Sequence, residues 1–589
     1  MIEPRIYRAA FLPALLTLVL VAFSFEDRPP AAPQGLAADV LFEGRLAVRE
    51  LRAIVAEQPD RRAGTVGNQA IAMRVQREFA ARGFETQVDR FEDQDEELLN
   101  VVGRRVGKSR GQIVVIAGRD ARSVPDATGS AADTAVLIEL ARVFEGRVSD
   151  KSLLLASVDG ASLGDAGARR LAERLGDDVE AVLIVSDAAA RRADGTLTVA
   201  WSNDASRISI GLARTATGSL RQEVGSVPPD AGAFGQFARL SFPIGIGAQG
   251  PLLERGFDAL RLSGSGELPP PRAETRAEDV NVERLGDMGR TLLRTVSAVD
   301  AAPALEHGPP SYLLLRGRVM PGWAISVLAL ALLLPALVAS IDAFARARRR
   351  RERVAAWWPW VLAGVAPFAA ALALSELLVL GGQVPNAPPA AEPPSAHPLD
   401  SSAAVVMAAA AGIAALSWLA VRWWLFAGRR RPGAGAGTAA ALLLSATGLA
   451  VWLLNPYAAL LLVPAVHLWL LVLLSGDSLP RRLAGAMALG GLVLPAFVGL
   501  YYLLRFSLDP LEGAWYLFLL VTGHQVGLPT AALGCVLLGL FSVMLQIAVA
   551  RPRRPRPEPG EDAGSPRIRG PQGYAGPGSL GGTESALGR

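Results

Sequence analysis

The chain of 589 residues has a single cysteine, Cys535, set inside an apolar run. A disulfide framework within one chain is therefore excluded. It has four histidines and the first is His307, so residues 45–306 hold neither histidine nor cysteine. Zinc sites are built chiefly from His and Cys donors with carboxylates in support, and this stretch lacks those donors. The same absence leaves Ser162 without the imidazole of a Ser-His triad, and a Ser-Lys pair would need Lys108 or Lys151. Gly160 to Gly167 and Gly264-Ser265-Gly266 lack the lysine of a phosphate loop, so they are expected to be flexible loops. Charge is sparse as well. Mean hydropathy is +0.30, 51% of the residues are hydrophobic, and the net charge is only +4. The basic residues are clustered but not interleaved with aromatics in a folded module, so no nucleic acid is expected as partner.

What the chain has instead is a dense series of apolar segments long enough to span a bilayer. They lie near Trp323–Ile341, Ala356–Leu380, Ala403–Leu419, Thr438–Leu454, Tyr457–Ser475, Leu483–Leu504 and Pro529–Ala550. Ile6 to Phe25, with Arg5 and Arg8 in front, is expected to be an uncleaved anchor rather than a signal peptide. Arg346 to Arg353, Arg429 to Arg431, Arg481-Arg482 and Arg551 to Arg556 fall on one side, and basic loops stay cytoplasmic. Gly382 to Asp400, Asn455-Pro456 and Ser507 to Gly513 fall on the other. Eight spans result, with both termini cytoplasmic and residues 26–322 extracytoplasmic. Tyr516 to Gly527 is expected to be re-entrant or interfacial, because a ninth span would put Arg551 to Arg556 outside. The expected division is an anchor over 1–25, a linker over 26–44, an extracytoplasmic domain over 45–310, a seven-span domain over 311–550 and a disordered tail over 551–589. Membrane lipids are the first expected partners, with Trp357, Trp358 and Trp360 as an interfacial belt. The Ala/Arg/Gly/Pro-heavy composition points to a GC-rich bacterium and its plasma membrane. Two ionisable residues stand out in the spans: Glu376, near an outer end, and His467, mid-span beside Pro464. His467 is expected either to line a polar groove or to satisfy a helix–helix hydrogen bond.

In the domain, the spacing predicts helices over Arg45–Glu57, Asn68–Arg82, Ala131–Phe144, Gly164–Leu175 and Val282–Val299. Strands are predicted over Glu85–Phe91, Leu98–Val102, Gln112–Ala117, Leu153–Val158, Ala181–Val185 and Phe257–Leu262. Alternating strands and helices imply an α/β fold with a largely parallel sheet covered on both faces.

Gly64-Thr65-Val66-Gly67-Asn68, Asn100-Val101-Val102, the strand and turn Gln112 to Arg122, and Ala131 to Arg142 follow one another in a recognisable order. With Asp159-Gly160-Ala161-Ser162-Leu163-Gly164, they resemble the M28 zinc aminopeptidase family over about residues 50 to 300. The resemblance implies a mixed, largely parallel sheet flanked by helices. It also implies two zinc ions held by two histidines and acidic ligands, with a glutamate as general base. Carried over residue by residue, the metal-strand motif falls at Gly118-Arg119-Asp120 or one residue later, and in either register it has no histidine. The bridging aspartate falls at Gly129. The catalytic and metal-binding glutamates fall at Ala161 and Ser162. Asp187 matches a later aspartate ligand, and Asp159 matches the aspartate that opens its motif. A residual site of Asp120, Asp126, Asp159, Asp165 and Asp187 would be oxygen-only, which suits Ca²⁺ or Mg²⁺ better than zinc.

The resemblance therefore implies no metal and no catalytic residue at the family positions, with Asp120, Gly129, Asp159, Ala161, Ser162 and Asp187 as the candidate pocket. One anchor, an external domain and seven further spans is also an order similar to the peptidase-like subunit of GPI transamidase. Three functional readings stay open. The first is an inactive M28-like domain binding a peptide, a lipid-linked substrate or a partner subunit. The second is an active aminopeptidase with non-standard ligands and zinc. The third is a transporter-like or lipid-handling protein regulated by its external domain.

Overall fold

The computed structural model describes residues 4–32, 41–190, 197–200, 208–227, 231–268, 274–384, 393–426 and 434–550. The tail over 551–589 and the basic cluster Arg429 to Arg431 lie outside the described residues.

The α/β domain is built on seven strands: β1 (Glu85–Asp93), β2 (Glu96–Arg105), β3 (Gln112–Gly118), β4 (Ser152–Val158), β5 (Val179–Ser186), β6 (Thr198–Ala200) and β7 (Ala259–Ser263). Their order across the sheet is β1-β2-β4-β3-β5-β7-β6. The central four, β4, β3, β5 and β7, are parallel. The β1–β2, β2–β4 and β7–β6 pairings are antiparallel. The sheet is thus mixed, as the resemblance implies, with a parallel centre and antiparallel edges. The cause of the β1–β2 reversal is local: Gln94 and Asp95 turn at positive φ and fold β2 straight back on β1.

The central strands are unbroken apolar runs because both faces are covered. All seven residues of β4 are buried, as are Ile113 to Ala117 of β3. Ala132–Val143 is buried at every position but Arg142, with Asp133 and Glu139 among the buried side chains. It packs with Gly44–Glu57 and Val282–Ala301. From β3 the chain crosses to β4 on one side through Ala132–Val143, then returns past β3 to β5 through Ala166–Ala172. Right-handed crossovers put those two helices on opposite faces, and β3 becomes the point where the strand order reverses. Ligand sites of open α/β sheets lie at the carboxyl ends of strands there. Ile210–Val224, Ala233–Ser241, Gln249–Glu254 and the edge strand β6 were not predicted.

The remaining helices form an apolar bundle. Among the described residues, five are long and apolar enough to cross a membrane: Gly322–Arg349, Ser401–Val421, Gly435–Leu454, Pro456–Leu474 and Leu528–Val549. Two bent pairs, Val354–Ala363 with Ala366–Leu380 and Arg481–Gly490 with Val493–Phe506, raise the number to seven if each pair is one span. Tyr7–Ala22 and Pro510–Thr522 are apolar but shorter. Pro510–Thr522, at 13 residues, is about 20 Å long, short of an apolar core of about 30 Å. It starts earlier than the predicted interfacial piece, because Asp509 and Glu512 form a capping box over residues read as loop. Trp360 is buried in the bundle core against Trp357, not placed in an exposed belt.

Two features join the ends of the chain to this frame. Glu26–Asp27, read as linker, is a strand that pairs with Arg318–Pro321, itself a hairpin with Tyr312–Leu315. Tyr7 Oη and His467 Nδ1 are 2.5 Å apart, and His467 Nε2 lies 2.9 Å from the Leu332 carbonyl. With Nε2–H donating to that carbonyl, Nδ1 accepts from Tyr7, and both ring nitrogens are used between helices. Phe11 packs on the same ring, centroids 5.4 Å apart. Replacing His467 with alanine is expected to cost about 0.6–2 kcal/mol, read as a lower midpoint of thermal aggregation in detergent. Tyr7→Phe, which removes one of the two bonds, should cost less.

Candidate functional site

The carboxyl ends of β3, β4 and β5 converge on a cleft lined by Gly118, Asp120, Arg122, Asp126, Asp133, Ala161, Asp165, Asp187 and Arg261, among others. Asp126, Asp165 and Asp187 take positive φ there, a conformation that aspartate tolerates better than most residues. The cavity measures about 40 Å³, room for about three waters. Of the sequence-predicted positions, Asp120, Ala161 and Asp187 line this cleft, whereas Gly129, Asp159 and Ser162 do not. What their side chains do differs from a metal site.

Asp120 is held by the loop that carries the two lost glutamate positions. Its Oδ1 accepts from Ala161 N at 2.7 Å and its Oδ2 from Ser162 N at 2.8 Å. Asp159 is fully buried. Its Oδ1 accepts from Asn68 Nδ2 at 2.6 Å and Gly160 N at 2.8 Å; its Oδ2 accepts from Leu99 N at 3.1 Å. The guanidinium of Arg119, also fully buried, reaches Oδ2 at 3.2 Å. Arg119 spends its other donors on Asn68 Oδ1, on Ser157 and on the Leu99 carbonyl. Burial pushes the Asp159 pKa up, and Arg119 works against that push.

The bridging-aspartate position also has a substitute. A Cβ on Gly129 would lie 2.5 Å from Asp126 Oδ1. The Asp126 carboxyl thus fills the space a side chain at 129 would need, and it caps the next turn by accepting from Ser130 N at 3.2 Å. Burial raises the Asp126 pKa, with Arg122 opposing. Asp187 sits at the mouth of the cleft. Its Oδ1 accepts from Arg122 Nη1 at 3.2 Å, and its Oδ2 accepts from Ser186 Oγ at 3.0 Å and Ser265 Oγ at 2.8 Å. Asp133 was not predicted. It accepts from Asp187 N at 3.0 Å and Ala188 N at 2.8 Å, and burial holds its pKa well above the ordinary range.

Four arginines complete the cluster: Arg61, Arg119, Arg122 and Arg261. Arg61 is fully buried and donates to the carbonyls of Gln58 and Pro125, both at 2.8 Å. Burial opposes charge on Arg122, and Asp187 and Asp126 more than offset it, so its pKa is raised. Sequence reasoning named Arg119 only as the middle residue of Gly118-Arg119-Asp120. No local signal separates Arg61, Arg119, Arg122 and Arg261 from the many other arginines of the domain.

The family's two zinc ions do not fit these residues. Among the described residues no group of three His, Cys, Asp or Glu side chains is arranged to hold a metal ion. The carboxylates that would form an oxygen-only site are spent on backbone amides, hydroxyls and guanidinium groups. A Cβ on Gly118 would stand 2.9 Å from the Ala161 Cβ, so two positions to which the resemblance assigns metal-site side chains press together. Lys108 and Lys151 are at the opposite, amino end of β3 and β4, engaged with Asp150 and Glu180, which removes the Ser-Lys pairing for Ser162. Of the two bundle candidates, His467 is engaged as described above, and Glu376 lies 3.6 Å from His524 Nε2.

The cleft also approaches the bundle. Glu267, four residues past β7, accepts from Arg239 Nη2 and from Arg505 Nε, each at 2.8 Å. Burial would raise its pKa, but Arg239 and Arg505 lower it below its ordinary value. Arg239 Nε donates to Tyr501 Oη at 2.6 Å, Tyr502 Oη donates to the Phe242 carbonyl at 2.6 Å, and Asn455 Nδ2 donates to the Leu240 carbonyl at 2.8 Å.

No protein-family model matches the chain, and no curated protein matches it. Among solved structures, it is similar to a glutaminyl cyclase of Porphyromonas gingivalis, with 14% identity and TM-score 0.35, over 44% of this chain and 98% of that one. It is similar to a zinc aminopeptidase from Bacillus subtilis, with 13% identity and TM-score 0.35, over 43% and 94%. The LapA aminopeptidase of Legionella pneumophila shows 12% identity and TM-score 0.38, over 45% and 73%.

Proposed function

We propose that the chain is an integral membrane protein that holds an M28 peptidase-like domain outside the membrane as a binding module rather than a hydrolase. The observation that carries this reading is the use of the cleft's carboxylates. Asp120, Asp159 and Asp187 already have amide, hydroxyl or arginine partners where a peptidase needs open ligands and a free base. Amide hydrolysis without a general base loses about 10²–10⁴-fold, and the positions the resemblance assigns to such a base are Ala161 and Ser162. The proposed ligand is a peptide, a lipid-linked molecule or a partner subunit. The apolar helices and basic loops support eight spans with both termini cytoplasmic. The lipid-handling reading loses its leading residue, because His467 ties three helices together.

The test is metal content and activity of the purified full-length protein. Metal analysis is expected to find well under one zinc per chain. Aminoacyl-anilide substrates are expected to show no turnover above background with zinc, manganese, magnesium or calcium added. About two zinc ions per chain with anilide cleavage would establish the active-hydrolase reading instead.

A further inference from the structure

The segment leaving β7 touches the cleft and the bundle within a few residues. Ser265 Oγ donates to Asp187 Oδ2 at 2.8 Å. Two positions later the Glu267 carboxylate receives Arg505 Nε at 2.8 Å. Gly266 stands between them at φ +97°, a conformation that favours glycine. Arg261 braces the loop from beneath, with Nη2 on the Glu267 carbonyl at 2.6 Å and Nη1 on Ser186 Oγ at 3.3 Å. One short loop is therefore gripped at one end by the cleft's aspartate and at the other by a bundle arginine.

Arg505 lies on Val493–Phe506, half of a helix pair bent by 40°. The break follows Gly490-Gly491, where Trp469 packs against the Gly491 backbone and donates Nε1–H to the Ala488 carbonyl at 3.0 Å. Glycine pairs are common kink points, and kinked elements divide into halves that move as units. Three side chains of this half, Tyr501, Tyr502 and Arg505, are bonded to the α/β domain.

We infer that the loop over residues 264–268 is a relay. The state of Asp187 sets how firmly Val493–Phe506 is held against the domain, and that half-helix is free to swing about Gly490-Gly491 when the hold weakens. A ligand that draws Asp187 away from Ser265 releases one end of the loop, shifts Glu267 and relaxes its grip on Arg505. The relay rests on the proposal that the cleft binds rather than cuts, and it gives that binding a route into the membrane.

Amide hydrogen exchange of the full chain in lipid nanodiscs tests it. Wild type is compared with Ser265→Ala, Asp187→Asn and Glu267→Gln over the amides of 499–508. Each variant is expected to speed exchange there by about tenfold or more, the effect of one charged hydrogen bond lost. Exchange in β3 and β4 should stay as in wild type for Ser265→Ala, which reports an intact domain. If Glu267→Gln speeds exchange but Ser265→Ala and Asp187→Asn do not, the loop is a fixed strut and the relay is wrong. If none of the three has an effect, the relay is wrong as well. Zinc content and anilide cleavage measured on the same preparations keep the two ideas apart: an active enzyme with the exchange response overturns the binding-module proposal and leaves the relay standing.

Discussion

Replacing Arg119 with alanine is expected to destabilise the α/β domain by about 3–5 kcal/mol, the cost of leaving a buried charge without its partner. The substitution strips Asp159 of its cation and leaves Asn68 Oδ1 and the Leu99 carbonyl short of a donor. None of these groups has a route to solvent, since Asn68, Asp159 and Arg119 are all fully buried. The loss should depend on pH in a definite direction. Burial already raises the Asp159 pKa above 3.8, and without Arg119 only the hydrogen bonds from the Leu99 and Gly160 amides oppose the rise. A carboxyl whose folded pKa is raised pays its penalty above the unfolded value, so the defect should be full at neutral pH. It should shrink as pH falls toward 3.8. Urea-pulse proteolysis of the full chain at several pH values measures both effects. A double change, Arg119→Met with Asp159→Asn, should recover a substantial part of the loss, because paired removal of buried charges is often close to neutral. If Arg119→Ala unfolds at the same urea concentration as wild type, the network is not what holds these strand ends together.

The second large effect is a failure to rebuild a metal site. Gly118→His with Ala161→Glu puts back two side chains that the M28 resemblance leads one to expect. The structure predicts destabilisation by about 1–3 kcal/mol from overpacking, and no response to zinc. The two Cβ atoms would start only 2.9 Å apart, and Asp120 is committed to the Ala161 and Ser162 amides. A competent site saturated at a hundred times its Kd would add about 2.7 kcal/mol. The melting temperature with and without zinc thus separates the outcomes by sign. A rise with zinc would mean that the arginine cluster yields easily and that the loss of metal lies only in two substitutions.

Much of the fold is legible in the sequence because its signals are local. β4 reads as an unbroken apolar run, Ala132–Val143 as a helix, and the bundle segments as long hydropathic stretches. The elements that escape are those with weak periodicity and specific tertiary support. Ala233–Ser241 is short and held by Gln236 bonds to the Leu314 backbone and by Tyr501 and Asn455 of the bundle. Glu26–Asp27 is a strand only because Arg318 and Val319 lie beside it. In the cleft, the positions themselves can be placed by motif order, and of them Asp120, Ala161 and Asp187 line it. Their partners cannot be placed that way. Asn68, Arg61 and Arg261 come from distant parts of the chain, and nothing in a one-dimensional pattern pairs Arg119 with a carboxylate 40 positions away.

The small sheet at the junction bears on how such a protein is put together. Glu26 faces Val319 and Asp27 faces Arg318 across one strand spacing, about 5 Å. The chain leaves this sheet at Asp27, on one edge strand, and re-enters it at Tyr312, on the opposite edge strand beyond Arg318–Pro321, two strand spacings or about 10 Å across. A module hung that way can be exchanged for another of different shape without stretching the helices below, provided that the newcomer's ends also meet. The junction is in effect a socket, and selection can alter the inserted domain while leaving the helices below it untouched.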